Sequence, residues 1–459
     1  MGLGTRLILF GISLAVAAVF LLPSTPPKPP KLTNKYWGPG QEPARTAGDD
    51  AVRPFKIKFD QQMVQDLRNR LRNIRTLQPP LENVNWTYGV SSTSMLPIVD
   101  YWMSKYDFDT REAHLNRYPQ YITNIQGLDI HFYHIKPKLL KDRNVQVLPL
   151  LMLHGWPGST VEFQKIIPLL TTVQSDMDFV FELIVPSLPG FGFSSAAAKP
   201  GFGPAEIAHV FKNLMLRLGF DKFYAQGGDW GGIIIASMAT MYPQYVSGIH
   251  LNYCQVLRPW TYVQMALYDY IPWLLPAEER PFIFSPSKLI SLTFEETGYL
   301  HEQATKPDTI GIGLSDSPVG LAAYILEKFS TVTNFDYRYE KDGNLLEKFT
   351  LDELIDNLMM YWVPNKITSS VRIYAEALSP RFIIFDMDNI PVTVPSACAQ
   401  APHEIIFHPE SILRKRFLNL VRLKKVPRGG HLLAMEEPKL LADEVWLSVQ
   451  KMRKLDTAE

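Results

Sequence analysis

Gln226-Gly227-Gly228-Asp229-Trp230-Gly231-Gly232 is the stretch on which the fold turns. A short apolar strand, Lys222-Phe223-Tyr224-Ala225, leads into it, and Ile233-Ile234-Ile235-Ala236-Ser237-Met238-Ala239 follows with helical character. Strand, sharp turn flanked by small residues, then helix is the pattern of a nucleophile elbow. Gly227 and Gly231 leave room for a strained turn that lifts residue 229 clear of the sheet and aims it at a substrate.

The lifted residue is Asp rather than Ser, and the difference is chemical. A Ser that attacked an alkyl carbon would become an ether, which water does not readily cleave. A carboxylate that attacks an alkyl carbon becomes an ester, which an activated water can hydrolyse. An Asp here therefore suits substitution at saturated carbon, as in an epoxide or an alkyl halide. A Gly-rich turn with a capping Asp is the plainer alternative.

Strands and helices alternate on both sides of the elbow. Val145 to Leu153 is a continuous apolar run of the kind buried on both faces. Phe179 to Pro186 reads as the next strand, Glu206 to Leu218 as a helix, and Val246 to Tyr253 as a further strand. This rhythm predicts a doubly wound, mostly parallel sheet, the α/β-hydrolase fold. Gly127 to Ile135 alternates like an edge strand, and its His131 and His134 are expected to line a sheet face. From about 255 to 364 the rhythm stops, and a helical, aromatic-rich insertion is expected to cap the carboxyl ends of the strands. The core then resumes over 365–459: Arg381 to Phe385 and a strand expected at Pro391 to Ser396 lead into Glu404, Asn419 to Val426 is the last strand, and a closing helix runs from Pro438 to Met452.

Ahead of the core (122–254), residues 51–121 form a leading segment with helical spacing at Met63, Leu67, Leu71 and Ile74; its aromatics most simply pack. Residues 23–50 are a Pro-rich spacer. Leu7 to Leu22, within residues 1–22, is a nearly unbroken apolar run. It is read as an uncleaved membrane anchor, with a signal peptide as the rival. Lys28, Lys31 and Lys35 follow the run, which favours a cytosolic catalytic domain, whereas the sequon Asn85-Trp86-Thr87 would matter only in a lumenal one.

With 46 basic and 46 acidic residues the chain offers no basic face for nucleic acid. No CxxC or HExxH spacing suggests a metal, and no cofactor is expected. Cys254 and Cys398 are expected to be two separate buried thiols of a reducing compartment.

His154-Gly155-Trp156-Pro157 ends a buried strand, where the fold takes one oxyanion-hole N–H, here from Trp156; Trp230, next to the nucleophile, gives the other. His154 is expected to be structural. His431, on a Gly-Gly turn after the last strand, stands in the order nucleophile, acid, His. For the acid, chain order favours Glu404 over Asp386 and Asp388, which precede the strand expected before it.

Taken together, these motifs resemble the microsomal epoxide hydrolases, and within them the juvenile hormone epoxide hydrolases of insects. The resemblance covers nearly the whole chain: the apolar N-terminal run, Trp37-Gly38-Pro39-Gly40, Arg53-Pro54-Phe55, Leu128-Asp129-Ile130-His131-Phe132, the His154–Ser159 loop and the elbow. It goes on through Glu296-Thr297-Gly298-Tyr299, Gly320-Leu321-Ala322-Ala323-Tyr324 and Pro427-Arg428-Gly429-Gly430-His431. It implies Asp229 as nucleophile, Glu404 and His431 as charge-relay partners, and Tyr299 and Tyr374 as donors to the epoxide oxygen. A phenol suits that task, since with a pKa of ~10 it donates while staying protonated at neutral pH. The family usually has an aromatic-Pro pair before the acid; here it is Ala401-Pro402.

The resemblance further implies a lipophilic epoxide and water as reactants, with juvenile hormone as first candidate and xenobiotic or fatty-acid epoxides as alternatives, and a single-pass anchor in the endoplasmic reticulum membrane. A haloalkane dehalogenase would share the Asp-Trp-Gly elbow but would want halide donors in place of the tyrosines. A non-catalytic binder of lipophilic ligands would not need every catalytic position filled.

Overall fold

The computed structural model describes residues 26–44, 48, 50–139, 145–378 and 384–456. The expected anchor at Leu7 to Leu22 lies outside them, and among the described residues no single helix is long and apolar enough to cross a membrane. The strands are β1 (Arg53–Phe55), β2 (Gln120–Ile125), β3 (Leu128–Ile135), β4 (Gln146–Leu153), β5 (Phe179–Pro186), β6 (Phe223–Gly227), β7 (Val246–Leu251), β8 (Ser396–Gln400) and β9 (Leu420–Lys425). They form one nine-stranded sheet in the order β1-β2-β3-β5-β4-β6-β7-β8-β9. From β5 to β9 every pairing is parallel, while β1, β2 and β3 add an antiparallel edge.

Helices cover both faces, as a parallel sheet requires. In the leading segment they are α1 (Gln61–Arg72), α2 (Ser92–Ser104) and α3 (Phe108–Leu115). In the core follow α4 (Pro204–Arg217) and α5 (Asp229–Met241). The insertion holds α6 (Pro259–Tyr270), α7 (Pro286–Glu296), α8 (Gly298–Thr305), α9 (Pro307–Asp316), α10 (Pro318–Thr333), α11 (Leu351–Trp362) and α12 (Ile367–Leu378); α13 (Pro438–Asp456) closes the chain. Val210, Leu214, Ile234 and Met238 of α4 and α5 join a core that runs on into the cap, with Leu326, Leu358 and Val371. Trp446 and Val449 of α13 pack on the other face against Phe181 and Val185.

Several expectations are revised. β3 is interior, not an edge, because β2 and β1 lie outside it. Its alternation misled because His131 is a polar residue satisfied inside the core, its ring nitrogens 2.9 Å from Ser187 Oγ and 2.8 Å from Gln120 Oε1. The strand before Glu404 is Ser396–Gln400, not Pro391 to Ser396; of the stretch Arg381 to Phe385, residues 381–383 lie outside the described residues and the rest opens the helix Ile384–Asn389. Val392 and Val394 carry the β-branched signal, yet Val392 makes only an isolated bridge to Phe417. The true strand is written in Ser, Ala, Cys and Gln, which give little β signal. Helical structure also runs past 364, since α12 follows it directly.

Cys254 and Cys398 are not separate thiols; they form a disulfide. Parallel pairing of β7 with β8 sets Leu251 beside Cys398, and Cys254 comes three residues later. A separation of 144 residues hides that proximity from the sequence.

The leading segment does more than pack. Tyr101 and Tyr106 donate hydrogen bonds to Asp352 and Asp356 of α11 at 2.9 and 2.8 Å, and Arg111 pairs with the buried Asp356. The segment thus braces the insertion. In the sequon, the Asn85 side-chain amide donates to the Tyr339 carbonyl at 2.5 Å.

Asp388, a rival for the catalytic acid, is instead buried against Arg416, with its Oδ2 accepting from the Leu257 N–H at 2.7 Å. Removing it strands a guanidinium that is 1% exposed. Asp388→Ala is expected to cost roughly 3–5 kcal/mol, read as a fall in the denaturant midpoint. A midpoint within experimental error of the parent would show that the pair does not hold the core.

Candidate active site

The site begins where two parallel strands end side by side. Leu153, the last residue of β4, pairs with Gly227, the last of β6, so the His154–Ser159 loop and the elbow leave the sheet together. Asp229 sits at φ 48°, the left-handed region that a non-Gly residue adopts only where its surroundings force it. The crowding explains the small neighbours. A Cβ on Gly231 would lie 2.1 Å from the Leu153 carbonyl oxygen, and one on Gly227 would lie 2.8 Å from Gly231. A Cβ on Gly155 would lie 2.1 Å from Asp229 Oδ1. That absence lets the loop close on the carboxylate, and the Trp156 N–H donates to Oδ1 at 2.7 Å. Trp230 is the second residue of α5, where a backbone N–H has no acceptor in its own helix.

The second carboxylate oxygen of Asp229 lies 3.1 Å from His431 Nε2. His431 Nδ1 lies 2.6 Å from Glu404 Oε1, which also accepts from the Ile405 N–H at 2.7 Å. The structure therefore brings together Asp229, His431 and Glu404. Burial alone would push the His431 pKa down, but Glu404 and Asp229 overcome it and hold the pKa well above the ordinary value. His154 behaves otherwise. It accepts at Nε2 from the Leu188 N–H at 3.1 Å, and burial lowers its pKa to about 4, so it stays neutral and braces the loop, as expected.

Tyr299 and Tyr374 meet at the Trp156 indole. Tyr299, at the start of α8, stacks on it at 5.3 Å between centroids; Tyr374, on α12, meets it edge-on at 5.9 Å and the Trp230 ring at 4.8 Å. The two phenols are 6.1 Å apart, centroid to centroid. Burial, and then the charge of Asp229 for Tyr299 and the Tyr299 phenol for Tyr374, push both pKa values up, so both hydroxyls keep their protons.

Sequence reasoning assigned no role to four neighbours, although Tyr324 closes one of the quoted motifs. The Tyr253 ring stands edge-on to His431 at 5.3 Å, and the Tyr324 ring edge-on to Trp156 at 5.9 Å. Glu162 and Glu436 are buried carboxyls whose pKa values burial raises to about 8. Ser159-x-x-Glu162 has the spacing of a capping box. The Glu162 carboxyl instead turns in over Gly158, where any Cβ would collide with it. Nothing in the local sequence marks Glu436. Among the described residues no His, Cys, Asp and Glu side chains gather as a metal site.

Fold and site together define an α/β-hydrolase with a carboxylate at the strand-to-helix elbow, under a helical cap that presents two phenols. Residues 52–163 match the family model for the epoxide hydrolase N terminus, and 149–269 that for the alpha/beta hydrolase fold. Juvenile hormone epoxide hydrolase 1 of Ctenocephalides felis is 45% identical, covering 99% of this chain and 97% of its own. Epoxide hydrolase 1 of Oryctolagus cuniculus is 44% identical over 90% of this chain and 92% of its own. The crystal structure of juvenile hormone epoxide hydrolase from the silkworm Bombyx mori superposes with a TM-score of 0.88 at 44% identity, covering 92% of this chain and 99% of that one. The chain belongs to the microsomal epoxide hydrolase family, alongside the juvenile hormone epoxide hydrolases of insects.

Glu404→Gln removes one of the two charges that stabilise the imidazolium. The His431 pKa is expected to fall, followed by NMR titration of the ring. An unchanged titration would mean that Glu404 does not set the proton affinity of His431.

Proposed function

We propose that the protein converts a lipophilic epoxide, juvenile hormone in the first place, to a vicinal diol through an ester formed on Asp229. The observation that carries this reading is the Asp229 carboxylate, held by the Trp156 N–H on one oxygen and facing His431 on the other. Trp156 also seats both tyrosines, so donors for the leaving oxygen converge beside the nucleophile. Paired phenols in this place favour an epoxide over an alkyl halide.

In the first step Asp229 attacks a ring carbon from the rear and the C–O bond breaks. Tyr299 and Tyr374 donate to the opening oxygen, one phenol passes its proton to it, and the proton that His431 gives up once Asp229 is esterified restores that phenol through water. Ester formation removes the Asp229 charge, one of the two that hold the proton on His431. The imidazole then accepts a proton from water, with Glu404 on Nδ1 fixing its orientation. Hydroxide adds to the ester carbonyl, and the oxyanion meets the N–H groups of Trp156 and Trp230. Collapse frees the diol and the carboxylate.

Juvenile hormone is supported by two insect relatives named for that activity at 44–45% identity over nearly the full chain. Placement at the endoplasmic reticulum membrane, by a single N-terminal span with the catalytic domain in the cytosol, is supported by the apolar run from Leu7 to Leu22 and the lysines after it. A membrane site would suit a substrate that partitions into lipid.

Under single turnover in ¹⁸O water, the first diol should carry oxygen from Asp229, and full label in that diol would point to direct attack by water. His431→Gln should stop ester hydrolysis by roughly 10²-fold or more and leave an alkylated protein visible by mass. Because hydrolysis needs neutral imidazole, lowering the pH should build up the same ester in the parent enzyme. On substrates, kcat/KM for juvenile hormone should exceed that for styrene oxide or a fatty-acid epoxide; the reverse ranking would make the protein a general epoxide hydrolase.

A further inference from the structure

One buried carboxyl beside the site has no part in the reaction as drawn. Glu436 ends the short helix Leu433–Glu436, which follows His431 directly. Its chain turns back toward the histidine. Oε2 accepts from the Gly430 N–H at 2.7 Å, and Oε1 accepts from the Leu432 N–H at 2.9 Å. These are the two residues that flank His431. The N–H of His431 itself donates to the Val332 carbonyl, near the end of α10, at 3.0 Å. Three successive buried N–H groups thus find acceptors, the outer pair on one carboxyl and the middle one on the cap.

The turn has little freedom on its other side. A Cβ on Gly430 would lie 2.3 Å from the Thr333 carbonyl oxygen, so the backbone is pressed against the cap. Without Glu436 two buried donors would lose their partners, and the turn could relax away from the cap. His431 Nε2 reaches its place opposite Asp229 only if that backbone stays put. Glu436 does not face the reacting atoms and acts only through the histidine.

We propose that Glu436 is a positioning residue for the second half-reaction: by gripping both N–H groups that flank His431, it keeps Nε2 aligned for the water that cleaves the Asp229 ester. The proposal rests on the ester route above. Ester formation needs Asp229 and the phenols but not a precisely held imidazole, whereas ester hydrolysis needs that imidazole aligned. The two steps should therefore respond unequally.

Glu436→Gln tests this in the full-length enzyme. The amide keeps the shape but meets one of the two N–H groups with another N–H. Rapid-quench kinetics with intact-protein mass should show ester hydrolysis slowed by ~10- to 100-fold, since small misplacements of a catalytic group cost that much. Ester formation should change less than about threefold, so kcat and KM fall together while kcat/KM holds. Glu436→Asp, which keeps both oxygens but draws them back, should fall between. Equal slowing of both steps, or no slowing of either, overturns the proposal. Loss of folded protein in both variants also overturns it, since Glu436 would then serve stability. If the parent enzyme itself forms no ester on Asp229, it is the ester route that fails.

Discussion

The carboxylate of Asp229 is confined on every side, and the rest of the structure follows from that confinement. The Trp156 N–H takes one oxygen and His431 faces the other. The backbone beneath is bent into a region that a side chain normally avoids. Such a bend persists only when its neighbours over-determine it. Here they do, because β4 and β6 end in register and the glycines at 155, 227 and 231 let three backbone segments meet where side chains would collide.

Charge is arranged around the same point with equal economy. His431 is buried beside two carboxylates, and it is they, not solvent, that set its proton affinity. In the proposed reaction one of the two is consumed when the ester forms, so that the first step would prepare the base for the second. Trp156 serves twice: its N–H holds the Asp229 carboxylate, and its indole gives the two phenols a common surface. The Asp229 carboxylate and the two phenols are therefore placed by one residue, which limits how far the cap can drift without losing register with the core.

What the sequence made legible was local. The elbow, the His154–Ser159 loop and the Gly-Gly-His turn are short motifs at strand ends, and the sheet places them together because strand order leaves no other arrangement. Chain order favours Glu404, while the strand before it lies several residues further on than its valines suggest, because the small residues of Ser396–Gln400 carry little β signal. The contacts that escaped are long-range or carry no pattern. Cys254 and Cys398 meet across adjacent strands, Tyr101 and Tyr106 reach residues some 250 positions away, and Glu162 and Glu436 look like ordinary helix acids until their burial is known.

The backbone of His431 hangs from the last turn of a cap helix through the Val332 carbonyl. The histidine is therefore shared property of both halves of the molecule. A chimera that grafts a relative's cap onto this core, in order to transplant its substrate preference, would also import a new suspension point for the histidine. Selectivity and turnover are for that reason not separable cargo in this architecture, and a successful graft has to carry the α10 terminus and the histidine turn across as a matched set.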